Sequence, residues 1–305
     1  MNRTFIGFII LLFVIILSAA ALGQGRLESR VPDTSQVTLL IRCDDWGMNH
    51  AVNMAAEQVV KSGIPVSASV MFACPWYQEA VELLKTHPEV SVGVHLTLNA
   101  EWKNYRWGPV AGASTVPTLV DSLGFFFPSR ELLFRNNPRL DEIERELRAQ
   151  IDRAVHSGLR VDYVDYHMGA AMQTLATRAI VEKLAAEYGL GISRYFGERD
   201  VSGVYAAPPD RKRDTLIAVT RELKPGGINL LVFHIGVDTP EMNALEDLNS
   251  FGLKEMSRHR RAELDALISS QFQDHLRNPR YRLTTYGKIK EGWGLDAMQR
   301  PEVRP

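Results

Sequence analysis

Apolar residues in this 305-residue chain gather into short, nearly continuous runs separated by stretches with a helical period. Val37 to Ile41 is the first run, Val66 to Phe72 the second and Val92 to Leu98 the third; Val161 to His167, Ile192 to Phe196, Ile228 to Phe233 and Tyr281 to Tyr286 follow. Runs that stay apolar instead of alternating read as strands buried on both faces, the habit of parallel sheets. Between them the spacing predicts helices from an Asn49 cap to Gly63, from Pro75 to Thr86, from Leu140 to His156 ahead of Gly158, from Leu175 to Tyr188, and from Met256 to Leu276. Repeated βα units favour a parallel (β/α) barrel of seven strands over a doubly wound open sheet. No internal repeat or low-complexity tract interrupts the pattern.

Two stretches depart from it. Arg3 precedes an apolar stretch from Phe5 to Leu22 that ends in small residues, which reads as an export signal or, uncleaved, as a membrane anchor. The chain therefore divides into residues 1–23 as signal or anchor, 24–36 as linker and 37–305 as one domain. The domain is expected outside the cytoplasm, periplasmic or secreted, with membrane contact only if the segment stays attached. The second departure is Asn99 to Pro128, a long stretch of weak periodicity that carries Trp102, Tyr105, Trp107 and three consecutive phenylalanines. Loops of that length in compact domains are usually functional.

Charge changes the picture little. A net charge of −1 signals no basic surface for phosphates, so no nucleic-acid partner is expected. The Arg258-His259-Arg260-Arg261 cluster reads as a solvated helix face. Cys43 and Cys74 could pair in an oxidising compartment, but Cys43 sits inside an apolar strand and the favoured reading is two buried thiols.

The reactive residues sit at strand ends. Asp44-Asp45-Trp46-Gly47, the His95 segment and the His167 segment each follow a β-rich stretch, where a (β/α) enzyme assembles its chemistry. One Asp and two His would give three metal ligands and an open position for water. Singly, an Asp pair after a strand also reads as a turn or helix cap, and a lone His as a hydrogen-bonded interior residue. The ordered combination points to one metal site. Adjacent Asp residues face opposite sides of a regular strand, so this reading requires the backbone to turn at Asp44-Asp45, with Gly47 beside it.

The Asp-Asp-aromatic-Gly, Gly-x-His-Leu-x-Leu and Asp-x-His segments, in this order and spacing, resemble the YdjC family of carbohydrate deacetylases, which includes chitooligosaccharide deacetylases. The likeness runs from Leu39 to about Tyr286. It implies a distorted (β/α) barrel related to polysaccharide deacetylases and one divalent metal ion, zinc or magnesium, held by Asp45, His95 and His167. It also implies Asp44 as general base, His234 after Leu230-Leu231-Val232-Phe233 as general acid, and Arg194 facing substrate. The implied substrate is an acetylated amino sugar or oligosaccharide. Trp102 and Trp107 are then read as surfaces for sugar rings, with a hydrophobic lid or partner surface as the other reading. Two positions depart from the family pattern: Gly169 stands where a second His often follows Asp-x-His, and Ile235 replaces the usual proline after the late His. They keep two alternatives open, a non-catalytic carbohydrate-binding barrel and a metal hydrolase acting on a different amide or ester.

Overall fold

A computed structural model describes residues 35–301; the expected signal or anchor segment and nearly all of the linker lie outside the described residues. The chain runs β1 (Val37–Trp46), α1 (His50–Lys61), β2 (Ser67–Val70), α2 (Tyr77–Lys85), β3 (Ser91–Leu96), α3 (Arg130–Arg135), α4 (Leu140–His156), β4 (Val161–Tyr166), α5 (Leu175–Tyr188), β5 (Gly191–Ile192) and β6 (Arg199–Asp200). It continues through α6 (Lys212–Arg221), β7 (Ile228–Phe233), α7 (Pro240–Asn243), α8 (Met256–Ile268), α9 (Ser270–Leu276), β8 (Tyr281–Thr284) and α10 (Tyr286–Trp293). Every ladder is parallel, and seven strands follow the order β5-β4-β3-β2-β1-β7-β6. β8 pairs with the first residues of β1, ahead of the stretch that pairs with β2. Among the described residues no ladder joins β5 to β6, so the sheet curls into a distorted (β/α) barrel without closing.

The period of two along each strand separates the two sides of the sheet. On β1, Leu39, Ile41 and Cys43 belong to the large apolar core shared with the helices, whereas Leu40 joins a second cluster with Tyr163, Phe196, Leu230 and Tyr286. Arg42 and Asp44 continue the Leu40 side. The Tyr163 ring lies across Gly93, where an added Cβ would come within 2.3 Å of its Cζ, and its hydroxyl meets Ser69 Oγ at 2.8 Å. The same side of β3 and β4 then carries His95 and Asp165, which are register partners.

Several sequence expectations change in detail. The helix expected from Met256 to Leu276 is two helices, because Ser269 is extended (φ −62°, ψ 142°) and its hydroxyl caps α9 through Phe272 N. The strand expected over Ile192 to Phe196 ends at Ile192, ahead of Arg194 in the left-handed region at φ 71°. β6 is only two exposed charged residues long, too short and polar to show as an apolar run. The 99–128 stretch is an ordered cover. Glu146 of α4 accepts from Val110 N and Ala111 N, Glu142 accepts from Thr118 N, and Trp102, Trp107 and Phe126 are buried. Cys43 and Cys74 are free and buried. No described helix is long and apolar enough to cross a membrane.

Candidate active site

The ends of β1, β3, β4 and β7 converge on a cavity of about 420 Å³ whose walls include Asp44, Asp45, His95, His167, His234 and Arg260. β1 reaches it through a distortion: its register against β2 slips between Cys43 and Trp46, and Asp45 takes φ 66°, a left-handed conformation costly for most side chains. That distortion brings two adjacent carboxylates to one cavity. The next turn holds it, with Met48 N donating to Asp45 O at 3.0 Å and Gly47 N to Asn53 Oδ1 at 2.8 Å. Gly47 has φ 80°, and a Cβ there would lie 2.7 Å from Tyr77 Cα.

Asp45 Oδ1, His95 Nε2 and His167 Nδ1 form a triangle with edges of 3.4, 3.4 and 3.3 Å. Asp45 Oδ1 is buried without a hydrogen-bond partner. One carboxylate oxygen and two imidazole nitrogens at this spacing fit a single divalent ion, since metal–ligand lengths of ~2.0–2.1 Å span such a triangle. Among the described residues, Asp44, His95 and Asp165 form a second, overlapping trio of that kind. Arg42 already serves that trio, lying 2.7 Å from Asp44 Oδ1 and 3.0 Å from Asp165 Oδ2. The first trio is therefore the candidate metal centre.

A carboxylate orients each histidine. His95 Nδ1 donates to Asp165 Oδ1 at 2.9 Å and His167 Nε2 to Glu101 Oε2 at 2.9 Å, which leaves the opposite nitrogen of each neutral ring with its lone pair toward the centre. Burial disfavours charge on both rings, yet Asp165 and Asp44 outweigh it at His95 and carry it up to about 10. At His167, Glu101 and Asp45 outweigh burial and carry it to about 9. Burial pushes the Asp45 carboxyl up, but Arg260 and the two imidazoles hold it well below the usual carboxylate range. The cluster is thus built to hold positive charge.

Asp44 sits beside this centre. Arg42 grips both its oxygens at 2.7 Å and donates to Ser193 Oγ at 2.7 Å; against the burial penalty, Arg42 and His95 hold the Asp44 carboxyl low. His234 Nε2 is 3.9 Å from Asp44 Oδ2, and its backbone N–H donates to Glu263 Oε2 at 2.7 Å. Ile235 is fully buried, so the position without proline is anchored in the core while the imidazole reaches the cavity. Gly169 has φ 75°, and Arg130 Nη1 lies 3.0 Å from where its Cβ would stand.

Of the residues singled out from sequence, Asp44, Asp45, His95, His167, His234 and Trp102 meet at the cavity. Trp102 lines it from a buried position with the Arg260 guanidinium 5.8 Å from its ring centre, so that face is taken. Trp107 and Arg194 are not among the lining residues. Trp107 donates Nε1 to Asn99 O and packs edge-on behind His167, while Arg194 pairs with Asp200 at 2.8 Å and lies over Tyr166. The solvated-face reading of residues 258–261 fails at Arg260, which is buried and donates Nη2 to Asp45 Oδ2 at 2.6 Å. Arg42, Glu101, Asp165, Arg260 and Tyr205 were missed. Arg42 and Asp165 left a signal, because each lies two residues before Asp44 or His167 and so shares its side of the strand.

Known proteins resemble the chain over most of its length. The chain is 28% identical over 272 residues to a Brevibacillus brevis protein named carbohydrate deacetylase, covering 82% of this chain and 99% of that one. A protein of the same name from Thermoanaerobacter pseudethanolicus is 25% identical over 266 residues, covering 83% and 99%. A solved Enterococcus faecalis structure, described as a candidate cellobiose-phosphate cleavage protein, shares the fold with a TM-score of 0.68 at 22% identity, covering 83% of this chain and 98% of that one. The sequence profile of the YdjC-like proteins matches residues 38–278, and the chain belongs to that family.

Proposed function

We propose that the protein is a metal-dependent carbohydrate deacetylase, a hydrolase that cleaves a linear amide C–N bond to remove acetyl groups from N-acetylated sugars or short oligosaccharides. The observation that carries this reading is the Asp45–His95–His167 triangle with its unpartnered Asp45 Oδ1. The name of the curated relatives supports the carbohydrate and the acetyl group. The apolar Phe5 to Leu22 stretch supports an exported or membrane-anchored enzyme.

Amide hydrolysis needs a nucleophilic water, a polarised carbonyl and a proton for the departing nitrogen. A divalent ion, zinc or magnesium, would supply the first two by lowering the pKa of a water from ~15.7 toward ~7 and by acting as a Lewis acid. Imidazole ligands favour zinc or another transition metal over magnesium. Asp44 takes the proton of the attacking water. Arg42 keeps Asp44 ionised in its buried position and fixes the plane of its carboxylate. His234, across from Asp44, returns a proton to the nitrogen as the C–N bond breaks. Arg260 occupies Asp45 Oδ2 and so directs Oδ1 toward the centre.

The test is acetate release from a panel of N-acetylated amino sugars and oligosaccharides, before and after chelation and metal replacement. Release that chelation abolishes and metal restores is the expected result. No release from any panel member, with glycan binding indifferent to metal, would instead favour a non-catalytic carbohydrate-binding barrel.

A further inference from the structure

The aromatic surface open to the cavity is not in the 99–128 stretch. Trp102 and Trp107 are buried, whereas two exposed aromatic rings line the cavity, Phe251 with 66% of its surface exposed and Tyr205, between β6 and α6, with 44%; of the two, Tyr205 is the one that packs on the proposed proton donor. Its ring meets the His234 ring edge-on with centroids 5.3 Å apart. Arg130, Glu131 and Asp247 share the cavity wall and offer partners for hydroxyl groups.

Beneath this pair runs a buried charged network. Lys212, the first residue of α6, is fully buried, and its Nζ donates to Val204 O at 3.0 Å, Tyr205 O at 2.7 Å and Glu263 Oε1 at 3.0 Å. All three ammonium protons are thereby used. The other Glu263 oxygen accepts from His234 N at 2.7 Å. One ion pair therefore clamps the backbone of Tyr205 to that of His234. Removing both charges from water costs more than apolar packing of the same volume would, so the pair is poorly explained as a source of stability. It is well explained as a device that fixes two side chains relative to one another.

We infer that Tyr205 is the sugar platform of the site, its ring against the C–H face of the pyranose that bears the departing nitrogen, and that the Lys212–Glu263 pair positions this platform beside His234. The inference rests on the carbohydrate deacetylase reading. A pyranose presents an apolar C–H face and a polar rim; Lys212 Nζ lies 5.8 Å from the Tyr205 ring centre, and the ring, unlike that of Trp102, keeps an exposed face for the sugar while the charged wall takes the hydroxyls. Tyr205 is thus a substrate-contacting residue, and Lys212 and Glu263 are positioning residues that act through it and through His234.

The experiment uses the full chain and a β-linked N-acetylglucosamine disaccharide, with binding measured calorimetrically on metal-stripped protein and acetate release on the metal-loaded form. Tyr205→Ala should weaken disaccharide binding and raise KM on the order of tenfold, while Tyr205→Phe keeps both near wild type. Lys212→Met and Glu263→Gln should raise KM and lower kcat together, with metal affinity unchanged. Equal binding by wild type and Tyr205→Ala overturns the platform even if wild type releases acetate. Unchanged KM and kcat in folded Lys212→Met and Glu263→Gln overturns the positioning role, and if Lys212→Met does not fold, Glu263→Gln decides. A wild type that neither binds nor deacetylates the disaccharide or any other acetylated sugar overturns the deacetylase reading and the platform with it.

Discussion

Binding of a divalent ion at the Asp45–His95–His167 centre should release two protons at neutral pH. Asp44, Asp45, Glu101 and Asp165 are buried there, and the buried Arg42 and Arg260 offset two of their four charges. The remaining deficit of two is met either by protonating both imidazoles or by one divalent ion between neutral rings. With His95 raised to about 10 and His167 to about 9, both rings carry protons at pH 7 when no metal is bound. Metal must displace both. Apparent affinity should therefore climb about 100-fold per pH unit, or ~2.7 kcal/mol, through neutral pH, slacken to about tenfold per unit once pH passes about 9, and level off above about 10. Calorimetric titration of zinc into chelator-stripped protein, in buffers of differing ionisation heat, counts the protons directly. A count near zero at pH 7 would mean that the rings are neutral beforehand, and would refute the charge balance that underlies the site.

In metal-free protein the raised imidazoles contribute stability that is fully present below the ordinary histidine value of ~6.5 and is lost as pH rises through about 9 and 10, so the melting temperature should fall from pH 7 to pH 10. Metal-loaded protein should lack that fall, and identical pH slopes in scanning calorimetry would contradict the assignment. Asp44→Asn should leave metal affinity close to wild type and cut acetate release by roughly 10²–10⁴-fold; loss of metal in place of turnover would remove Asp44 from the role of base. Gly93→Ala should destabilise by ~1–3 kcal/mol in thermal unfolding, because the new methyl would stand 2.3–2.6 Å from three atoms of the Tyr163 ring. An unchanged melting temperature would show that the ring has room to retreat.

The barrel was legible because its strands are buried on both sides. β1, β3 and β7 read as continuous apolar runs, and the helix ends at Asn49 and Gly158 carry ordinary cap and stop residues. What escaped was short or polar. β6 is two charged residues with no periodicity to detect, and the break at Ser269 lies inside a stretch whose apolar spacing continues on both sides of it. The required turn at Asp44-Asp45 could be argued from the opposite faces of adjacent residues; its form, a left-handed Asp45 held by Gly47 and Asn53, depends on Tyr77 approaching from the next βα unit.

The site divides along a similar line, between residues that carry chemistry and residues that make it possible. Asp45, His95 and His167 announce themselves by type and by position at strand ends. Their partners do so only where strand geometry offers a link, as Arg42 lies two residues before the Asp44 it grips, and Asp165, the partner of His95, lies two residues before His167. Glu101 lies in an irregular stretch, and Arg260 is 215 residues away from the Asp45 carboxylate it contacts, so no local period points to either. Arg260 looked like one of a solvated cluster because Arg258 and Arg261 beside it do form exposed pairs with Glu255 and Asp265. A turn of α8 separates the two fates: the same residue type is a surface charge on one side of the helix and, on the other, the group that holds Asp45 ionised with one oxygen free. Type and charge alone cannot distinguish these, and only the packing of α8 against α1 and α6, which turns Arg260 to the cavity, does.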